Sequence, residues 1–370
     1  MKVGIMSMQR IINYGSYLQA LGLKHTIESL GHEVEFVDYT VEPCINKRQV
    51  KTSSAIMSKV KRVVKKILRI QKPQNKFMPI REQFCKDYVE KMLPVLGVTK
   101  ERKYRTKVDT LVIGSDEVFN CLQDNPDVGY SMELFGANNN AKRVISYAGS
   151  FGNTTCERLE SYGVKNEVKG LLEKFDSISV RDKNSGKVVS TLLGKEPVYH
   201  LDPVLVSDFT PFVKDTVTIR DYIIVYAYSR RISEEEGQHI IEFAKKRGKK
   251  LIAISGIQTF CDSYVACTPE EVLAYFKHAD CIITDTFHGS IFSIINEKPF
   301  VTIIRESKGE SYGNAEKLVD LLERLHLEDR ILHNMNELEK TMTATIDYKS
   351  VGEIRKEGRE HTLKYLQENL

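Results

Sequence analysis

A histidine stands where one predicted strand ends and a helix begins. Residues 281–284 are predicted to form the strand, and His288 follows at the start of the helix. Free backbone N–H groups and the helix dipole favour an anion at such a position, so the segment predicts a site for a phosphate or a carboxylate. A histidine there can carry protons near neutral pH, and Gly289 would let a ligand approach the backbone closely. The alternative is a capped turn, with Asp285 or Thr286 as the cap and His288 as a structural residue.

Polar residues also follow two predicted strands in the first half of the chain. They are Asn13, Tyr14, Gly15 and Ser16 after the first strand, and Ser115 and Asp116 after a strand ending at residue 113. If the sheet is parallel, both groups face the same cleft. Hydroxyl, amide and carboxylate groups suit a sugar better than a phosphate, which predicts a sugar site that Asn120 and Tyr147 could join. The alternative is ordinary turn chemistry.

The elements that position these residues repeat one pattern. Short apolar strands alternate with helical stretches, and the predicted strands are residues 2–7, 34–39, 110–114, 144–148, 177–181, 221–228, 251–255, 281–284 and 300–304. This pattern predicts an α/β protein with two Rossmann-like, doubly wound domains and a cleft between them. We expect domains at residues 1–210 and 211–350, with a C-terminal helix at 351–370 that packs back across them.

The net charge of +4 conceals an uneven distribution of charge. Residues 43–81 contain twelve Lys or Arg and no Asp or Glu, so the rest of the chain has 42 basic and 50 acidic residues. Within this basic insertion, residues 56–72 have the spacing of a basic amphipathic helix, which predicts peripheral contact with an anionic membrane. The alternative is a surface helix packed on the first domain. The acidic remainder argues against a nucleic-acid partner.

Several classes of protein are excluded by what the sequence lacks. The seven cysteines form no C-x-x-C pair and no Cys/His ladder with zinc-site spacing, so we expect no metal and a reduced, intracellular protein. Gly-x-Gly-x-x-Gly does not occur, which leaves a nicotinamide or flavin fingerprint without support. No run of apolar residues is long enough for a membrane span or a signal peptide.

Seven segments together resemble the polysaccharide pyruvyl transferase family. They keep their order along the chain and are residues 13–21, 31–39, 112–120, 145–148, 178–182, 201–203 and 284–289. The resemblance implies two Rossmann-like domains arranged as in the GT-B glycosyltransferases. It also implies transfer of the enolpyruvyl unit of phosphoenolpyruvate to a sugar, which leaves a pyruvate ketal, without a metal or organic cofactor. Asp202 is expected only to fix the crossover between the domains.

The resemblance also assigns roles to residues on the donor side. His288 is the implied proton carrier, and Arg181 is the implied partner of the donor carboxylate or phosphate, unless it forms a surface ion pair with Asp182 or Glu173. Where several family members have Arg-Leu-His-Gly, this chain has Thr286-Phe287-His288-Gly289, so a cation beside the histidine is missing. The expected replacements are Arg305 and Lys317, with neutral hydrogen bonds from Thr286 and Ser290. By the same resemblance, the first-domain residues 13–16, 115 and 116 bind the acceptor.

The expected function is a cytoplasmic pyruvyl transferase of bacterial cell-surface polysaccharide synthesis, in peripheral contact with the inner face of the membrane. Its donor would be phosphoenolpyruvate, and its acceptor a sugar linked to polyprenyl diphosphate or to a nucleotide. Two alternatives remain. One is a GT-B glycosyltransferase that uses a nucleotide sugar, and the other is a non-catalytic family member that binds glycans.

Overall fold

The computed structural model describes residues 1–45, 75–123, 125, 127–306 and 315–370. The predicted basic amphipathic helix at 56–72 lies outside the described residues. Within them the chain forms two six-stranded parallel sheets with helices on both faces, so the predicted α/β fold with two doubly wound sheets is confirmed. The longer central strands, at 110–116 and 222–227, are buried along their whole length, as parallel sheets covered on both faces require.

The first sheet has the strand order β2-β1-β3-β4-β5-β6. Its strands are β1 Lys2–Met6, β2 Glu33–Phe36, β3 Thr110–Asp116, β4 Arg143–Gly149, β5 Ser179–Val180 and β6 Val198–Tyr199. Every residue of β3 is buried. The order reverses between β1 and β3, and a ligand site is expected at such a switch point, beyond the carboxyl ends of the strands.

The second sheet has the strand order β12-β11-β10-β7-β8-β9. Its strands are β7 Tyr222–Ala227, β8 Lys250–Ser255, β9 Ser263–Val265, β10 Cys281–Thr284, β11 Phe300–Ile303 and β12 Ile331–Leu332. Here the order reverses between β7 and β10, which is the arrangement of a dinucleotide-binding sheet. The strand predicted at residues 281–284 is therefore one side of the second switch point.

Helices connect the strands and cover the sheets. The described α-helices are α1 Tyr14–Ser29, α2 Met78–Asp87, α3 Leu93–Leu96, α4 Cys156–Ser161, α5 Lys165–Leu172, α6 Lys183–Leu193, α7 Pro203–Val206, α8 Glu234–Lys246, α9 Pro269–His278, α10 Phe287–Ile295, α11 Ala315–Arg324, α12 Leu338–Thr343 and α13 Tyr348–Asn369. A π-helical turn, Tyr88–Met92, joins α2 to α3. Short 3₁₀ turns lie at Met132–Phe135, Glu328–Arg330 and Met335–Glu337.

The two halves of the chain share one apolar core. A single buried cluster contains Val3 and Val112 of the first sheet together with Ile224 and Ile282 of the second. The hydroxyl of Tyr14 on α1 also donates a hydrogen bond to the carbonyl of Cys267 in the second half, at 2.8 Å. The interface between the halves is therefore packed and hydrogen-bonded, which fixes the residues on either side of it.

The C-terminal helix α13 begins at Tyr348, three residues before the predicted start, and packs against the first half. The hydroxyl of Tyr365 donates to the carbonyl of Ser146, at 2.8 Å. The side chain of Arg355 donates to the carbonyl of Leu205, at 2.9 Å. Helix α13 follows the second sheet in the chain but packs on the first half, so the chain crosses back to the first half at its C-terminal end.

Candidate functional site

A cavity of about 370 Å³ lies between the two halves, where the carboxyl ends of both sheets meet. Its walls come from the segments after β1 and β3 on one side and after β7 and β10 on the other. The two switch points therefore face each other across it. Eight of the predicted site residues line this cavity, namely Asn13, Ser16, Asp116, Arg181, Thr286, Phe287, His288 and Lys317.

His288 lies in the first turn of α10 and reaches across the interface. Thr286 caps this helix by accepting a hydrogen bond from the N–H of Gly289, at 2.9 Å. The imidazole packs against the first turn of α1, where a Cβ atom on Gly15 would lie 2.1 Å from Nδ1 of His288. Only a glycine at position 15 leaves this space. The Nε2 atom of His288 is buried and has no hydrogen-bond partner among the described residues.

A buried carboxylate, Asp202, stands behind the histidine. Its Oδ2 atom is 3.7 Å from Nε2 of His288 and accepts a hydrogen bond from Nη1 of Arg181, at 2.8 Å. Burial alone would raise the pKa of Asp202. The neighbouring His288 and Arg181 outweigh burial, so the pKa of Asp202 lies below its ordinary value. Asp202 is therefore an anion close to His288, beyond the crossover role expected from the sequence.

Arg181 is buried between two carboxylates. Besides Asp202, it donates from Nη2 to Oδ1 of Asp116, at 2.9 Å, and its guanidinium lies 4.5 Å from the ring centroid of Phe287. These two carboxylates raise the pKa of Arg181 despite its burial. The alternative of a surface ion pair with Asp182 or Glu173 is wrong. The prediction that Arg181 binds the donor is untested, and its guanidinium already has two anionic partners.

Asp116 connects this cluster to the first switch point. Its Oδ2 atom accepts a hydrogen bond from the hydroxyl of Ser16, at 2.9 Å. Burial raises the pKa of Asp116, but the charges of Arg181 and His288 outweigh burial, and the net pKa is low. The backbone of Asp116 has a left-handed conformation with φ of 77°, which an aspartate adopts at some cost in energy. This conformation points to a constraint from the site.

Lys317 on α11 pairs with Glu117 across the interface. Its Nζ atom lies 2.7 Å from Oε1 of Glu117, and Oε2 of the same carboxylate accepts a hydrogen bond from Asn120, at 2.8 Å. Burial raises the pKa of Glu117, but the charge of Lys317 outweighs it and the net pKa is low. Lys317 therefore brings positive charge to the cavity wall, as predicted for a replacement cation. Asn120 contacts the site through Glu117.

Asp285 is a buried acid of a different kind. Its Oδ1 atom accepts a hydrogen bond from the N–H of Tyr228, at 3.2 Å, and Oδ2 lies 3.8 Å from Nη1 of Arg231. Burial raises its pKa to about 6, against which the charge of Arg231 acts only partly. The sequence offered Asp285 or Thr286 as the helix cap, and Thr286 is the cap. Asp285 and Arg231 both line the cavity and were missed as site residues.

Three predicted donor residues do not line the cavity. Arg305 donates two hydrogen bonds to Glu236, at 2.6 and 2.9 Å. Ser290 faces inward and its hydroxyl lies 2.9 Å from that of Thr302. Gly289 is needed for internal packing rather than for a ligand, because a Cβ atom there would lie 2.1 Å from Oγ1 of Thr284. The geometry therefore lends no support to these three positions.

Four first-half candidates also lie behind the cavity wall. Ser115 is buried and its hydroxyl donates to Oε1 of Gln19, at 2.9 Å. The hydroxyl of Tyr147 is 2.8 Å from that of Thr362 on α13. Tyr14 bonds across the interface, and Gly15 makes room for His288. Of the residues predicted for the sugar, Asn13, Ser16 and Asp116 are those on the wall.

Two kinds of feature are absent from the described residues. No group of three or more His, Cys, Asp or Glu side chains is arranged to hold a metal ion in that part of the chain. None of the helices described above is both long enough and apolar enough to cross a membrane.

Comparison with known proteins gives one family and a common fold. The sequence model of the polysaccharide pyruvyl transferase family matches residues 13–307. The structure of S. aureus MnaA with UDP is 11% identical to this chain and superposes with a TM-score of 0.50. The match covers 100% of this chain and 98% of the MnaA chain. The UDP-GlcNAc 2-epimerase of Methanocaldococcus jannaschii is 12% identical with a TM-score of 0.50, over 99% and 100% of the two chains. None of the curated proteins matches in sequence.

Proposed function

Because the chain belongs to the polysaccharide pyruvyl transferase family, we propose that it transfers the enolpyruvyl group of phosphoenolpyruvate to a sugar. The product would be a pyruvate ketal made during bacterial cell-surface polysaccharide synthesis. The observation that carries the proposal is the position of His288, whose unpartnered Nε2 atom lies at the wall of the cavity beside the anionic Asp202. A proton carrier held at a helix N-terminus suits a reaction that begins by protonating an anionic substrate.

The reaction has three steps that this cavity has to support. A proton is added to the methylene carbon of phosphoenolpyruvate, and the positive charge that develops at C2 is shared with its oxygen. One sugar hydroxyl then forms a bond to C2 and loses its proton. A second hydroxyl of the same sugar forms another bond to C2 as the bond to phosphate oxygen breaks, and its proton leaves with the phosphate. Two hydroxyl protons thus replace those taken up by the methylene carbon and the phosphate.

His288 is the residue we assign to the first two steps. In its imidazolium form it gives a proton to the methylene carbon, and as the neutral imidazole it takes one from the attacking hydroxyl. The charge of Asp202 stabilises the imidazolium between these steps. Asp285, whose pKa burial raises to about 6, is a further group in the cavity wall that can hold a proton.

The donor anions would be met by Lys317, Arg231 and the N-terminus of α10. All three are in the cavity wall on the second-half side. Lys317 lies against Glu117 and Arg231 near Asp285, so binding of a phosphate would have to compete with carboxylates. On the opposite wall, Asn13 and Ser16 present an amide and a hydroxyl to the acceptor. This division keeps the donor on the second-half side and the acceptor on the first-half side, with Arg231 in the place expected for Arg305.

The test is phosphate release from phosphoenolpyruvate, with lipid extracts or oligosaccharide intermediates of the source strain as acceptors. We expect His288→Ala to lower the rate by about 10²- to 10⁴-fold, which is the usual contribution of a proton-transferring side chain. Circular dichroism and the melting temperature should change little. His333→Ala, at an exposed histidine outside the cavity wall, is the matched control and should keep full activity.

Three outcomes would redirect the assignment. Full activity of the His288 variant would refute the proposed mechanism. Release of a nucleoside diphosphate from a nucleotide sugar, with no phosphate released from phosphoenolpyruvate, would favour the glycosyltransferase alternative. Binding of glycans without turnover of either donor would favour a non-catalytic family member.

A further inference from the structure

Helix α11 of the second half lies across the carboxyl ends of strands in the first sheet. Lys317, near the start of this helix, pairs with Glu117, which follows β3. Arg324, at its end, donates from Nη1 to the carbonyls of Arg181 and His200, at 2.7 and 3.2 Å. Seven residues make close to two helical turns, so Lys317 and Arg324 lie on the same face of α11, about 10 Å apart along its axis. This face is tied to the first half at both ends.

The two carbonyls that Arg324 binds belong to segments that carry side chains of the site. Arg181 is one residue beyond the end of β5, and His200 is one residue beyond the end of β6. Buried carbonyls past the end of a strand need a donor, and one nitrogen of Arg324 serves both. Arg324 therefore sets the spacing between the two segments. The same segments carry the Arg181 side chain and Asp202, which are hydrogen-bonded to each other at 2.8 Å.

The contact between His288 and Asp202 spans the interface between the halves. Nε2 of His288 lies 3.7 Å from Oδ2 of Asp202. Oδ1 of Asp202 accepts a hydrogen bond from the N–H of Val204, at 3.0 Å, which places this carboxylate relative to the first half only. Helix α10, which carries His288, packs against α11 in the second half. The position of α11 on the first half therefore helps to decide how far the imidazole lies from the carboxylate.

Another tie between α11 and the first half is exposed to water. Lys183 of α6 pairs with Glu323, and the side chain of Lys183 is 69% exposed. Exposed ion pairs usually contribute little to stability, because water screens them and long side chains lose freedom. The carbonyls that Arg324 binds belong instead to buried residues, Arg181 and His200. Arg324 is therefore better able than Lys183 to hold this end of α11 in place.

The tie at the other end of α11 would weaken when a donor binds. Nζ of Lys317 lies 2.7 Å from Oε1 of Glu117, and both residues line the first cavity. A donor phosphate that attracts Lys317 has to compete with Glu117 for its charge. Arg324 lies outside the described wall of this cavity, and its partners are backbone carbonyls. Its bonds can therefore persist while Lys317 turns to the donor.

We propose that Arg324 is a positioning residue that keeps Asp202 beside His288 while Lys317 meets the donor. It acts through two backbone carbonyls and not through contact with a substrate. Loss of this tie displaces the carboxylate relative to the imidazole, and proton transfer by His288 then slows. That Lys317 meets a donor rests on the proposed function, whereas the link from Arg324 to Asp202 and His288 does not.

Two substitutions of Arg324 in the full-length protein test this role. A misplacement of about 1 Å can lower a rate by about 10²-fold, so we expect Arg324→Gln to lower kcat for phosphate release by roughly 10- to 100-fold. The affinity for phosphoenolpyruvate should stay within about 2-fold of wild type. Arg324→Lys keeps a charged donor and should retain more of the turnover than Arg324→Gln does. Arg220→Gln is the matched control, because one nitrogen of Arg220 also donates to two carbonyls, those of Val217 and Ile219, within its own segment.

The NMR signals of the His288 imidazole give a readout that does not depend on turnover. The chain has nine histidines, and the signals of His288 are those missing from the spectrum of His288→Ala. We expect these signals to move in Arg324→Gln, because the distance to Asp202 changes, and to stay in place in Arg220→Gln. Circular dichroism and the melting temperature check that each variant is folded. If Arg324→Gln does not fold, Arg324→Lys carries the same comparison.

The kinetic and spectroscopic results decide the proposal together. Displaced His288 signals, a lower kcat and an unchanged affinity for phosphoenolpyruvate support it. Unmoved His288 signals in a folded Arg324 variant would overturn it. So would an unchanged kcat with a weaker affinity for phosphoenolpyruvate, because Arg324 would then act through Lys317 alone. If the wild type releases no phosphate from phosphoenolpyruvate, the proposed function fails, and the His288 signals still decide the role of Arg324.

Discussion

Asp285→Asn is expected to stabilise the protein at neutral and alkaline pH. Burial raises the pKa of Asp285 from 3.8 to about 6, so the folded protein holds this proton more tightly than the unfolded chain does. As pH rises from about 4 to about 6, the unfolded state loses the proton first, and the free energy of unfolding of the wild type falls. The loss is complete above the pKa of the folded state. Asparagine carries no charge, so the variant does not undergo this loss of unfolding free energy.

The size of the effect follows from the shift in pKa. A rise of about two units at about 1.36 kcal/mol per unit is worth about 3 kcal/mol. The Oδ1 atom of asparagine can still accept the hydrogen bond from the N–H of Tyr228, so this contact is kept. With an unfolding entropy of about 2.1 cal/mol/K per residue, about 3 kcal/mol corresponds to a melting temperature about 4 °C higher if all 370 residues unfold together.

Scanning calorimetry of wild type and Asp285→Asn between pH 4 and pH 8 measures this difference. The two melting temperatures should be closest near pH 4, and the difference in favour of the variant should increase up to about pH 7. Asp127→Asn, at an exposed carboxylate outside the cavity wall, serves as the control and should follow the wild type throughout. A difference between Asp285→Asn and wild type that does not vary with pH would refute the assignment of a raised pKa to this carboxyl.

Two further predictions concern the position of His288 and the location of the protein. Gly15→Ala places a Cβ atom 2.1 Å from Nδ1 of His288, so the imidazole must move, and a displacement of about 1 Å should lower the rate of transfer by about 10²-fold. Gly170→Ala, with open space around the new Cβ, is the control. Equal rates of transfer in Gly15→Ala and wild type would contradict the reasoning. Residues 56–72, outside the described part of the chain, are expected to make the protein cosediment with anionic vesicles at low salt and not at high salt. Absence of vesicle binding at every salt concentration would refute the membrane hypothesis.

The sequence was a good guide to the parts of the fold that have a local signal. Strands of four or more residues that contain an apolar run, such as residues 281–284 and 110–114, were predicted at or near their observed bounds. The strands Val198–Tyr199 and Ile331–Leu332 were not predicted, because two residues have no periodicity to detect. The same holds for the site: His288 was found because it directly follows a predicted strand.

The part of the site that the sequence did not predict depends on contacts between residues far apart in the chain. Glu117 and Lys317 are 200 positions apart, and no pattern in the sequence connects them. Arg181 was read as a cation ready for a donor because its two carboxylate partners, Asp116 and Asp202, could not be identified before the sheets were assembled. The sequence offered Asp285 only as one of two alternative caps, because its burial, which raises its pKa, depends on both halves of the fold.

These ion pairs decide which cations of the chain can bind a ligand. Buried Arg181 compensates Asp116 and Asp202, and removing its charge would leave two anions without a partner in a place where water cannot solvate them. Its first task is therefore to hold these carboxylates beside His288. The cations with solvent-facing surface in the wall, Arg231 and Lys317, are better placed to meet a donor. The prediction that other cations replace the arginine absent at Thr286 therefore depends on strands and helices elsewhere in the fold, rather than on the neighbouring residues in the sequence.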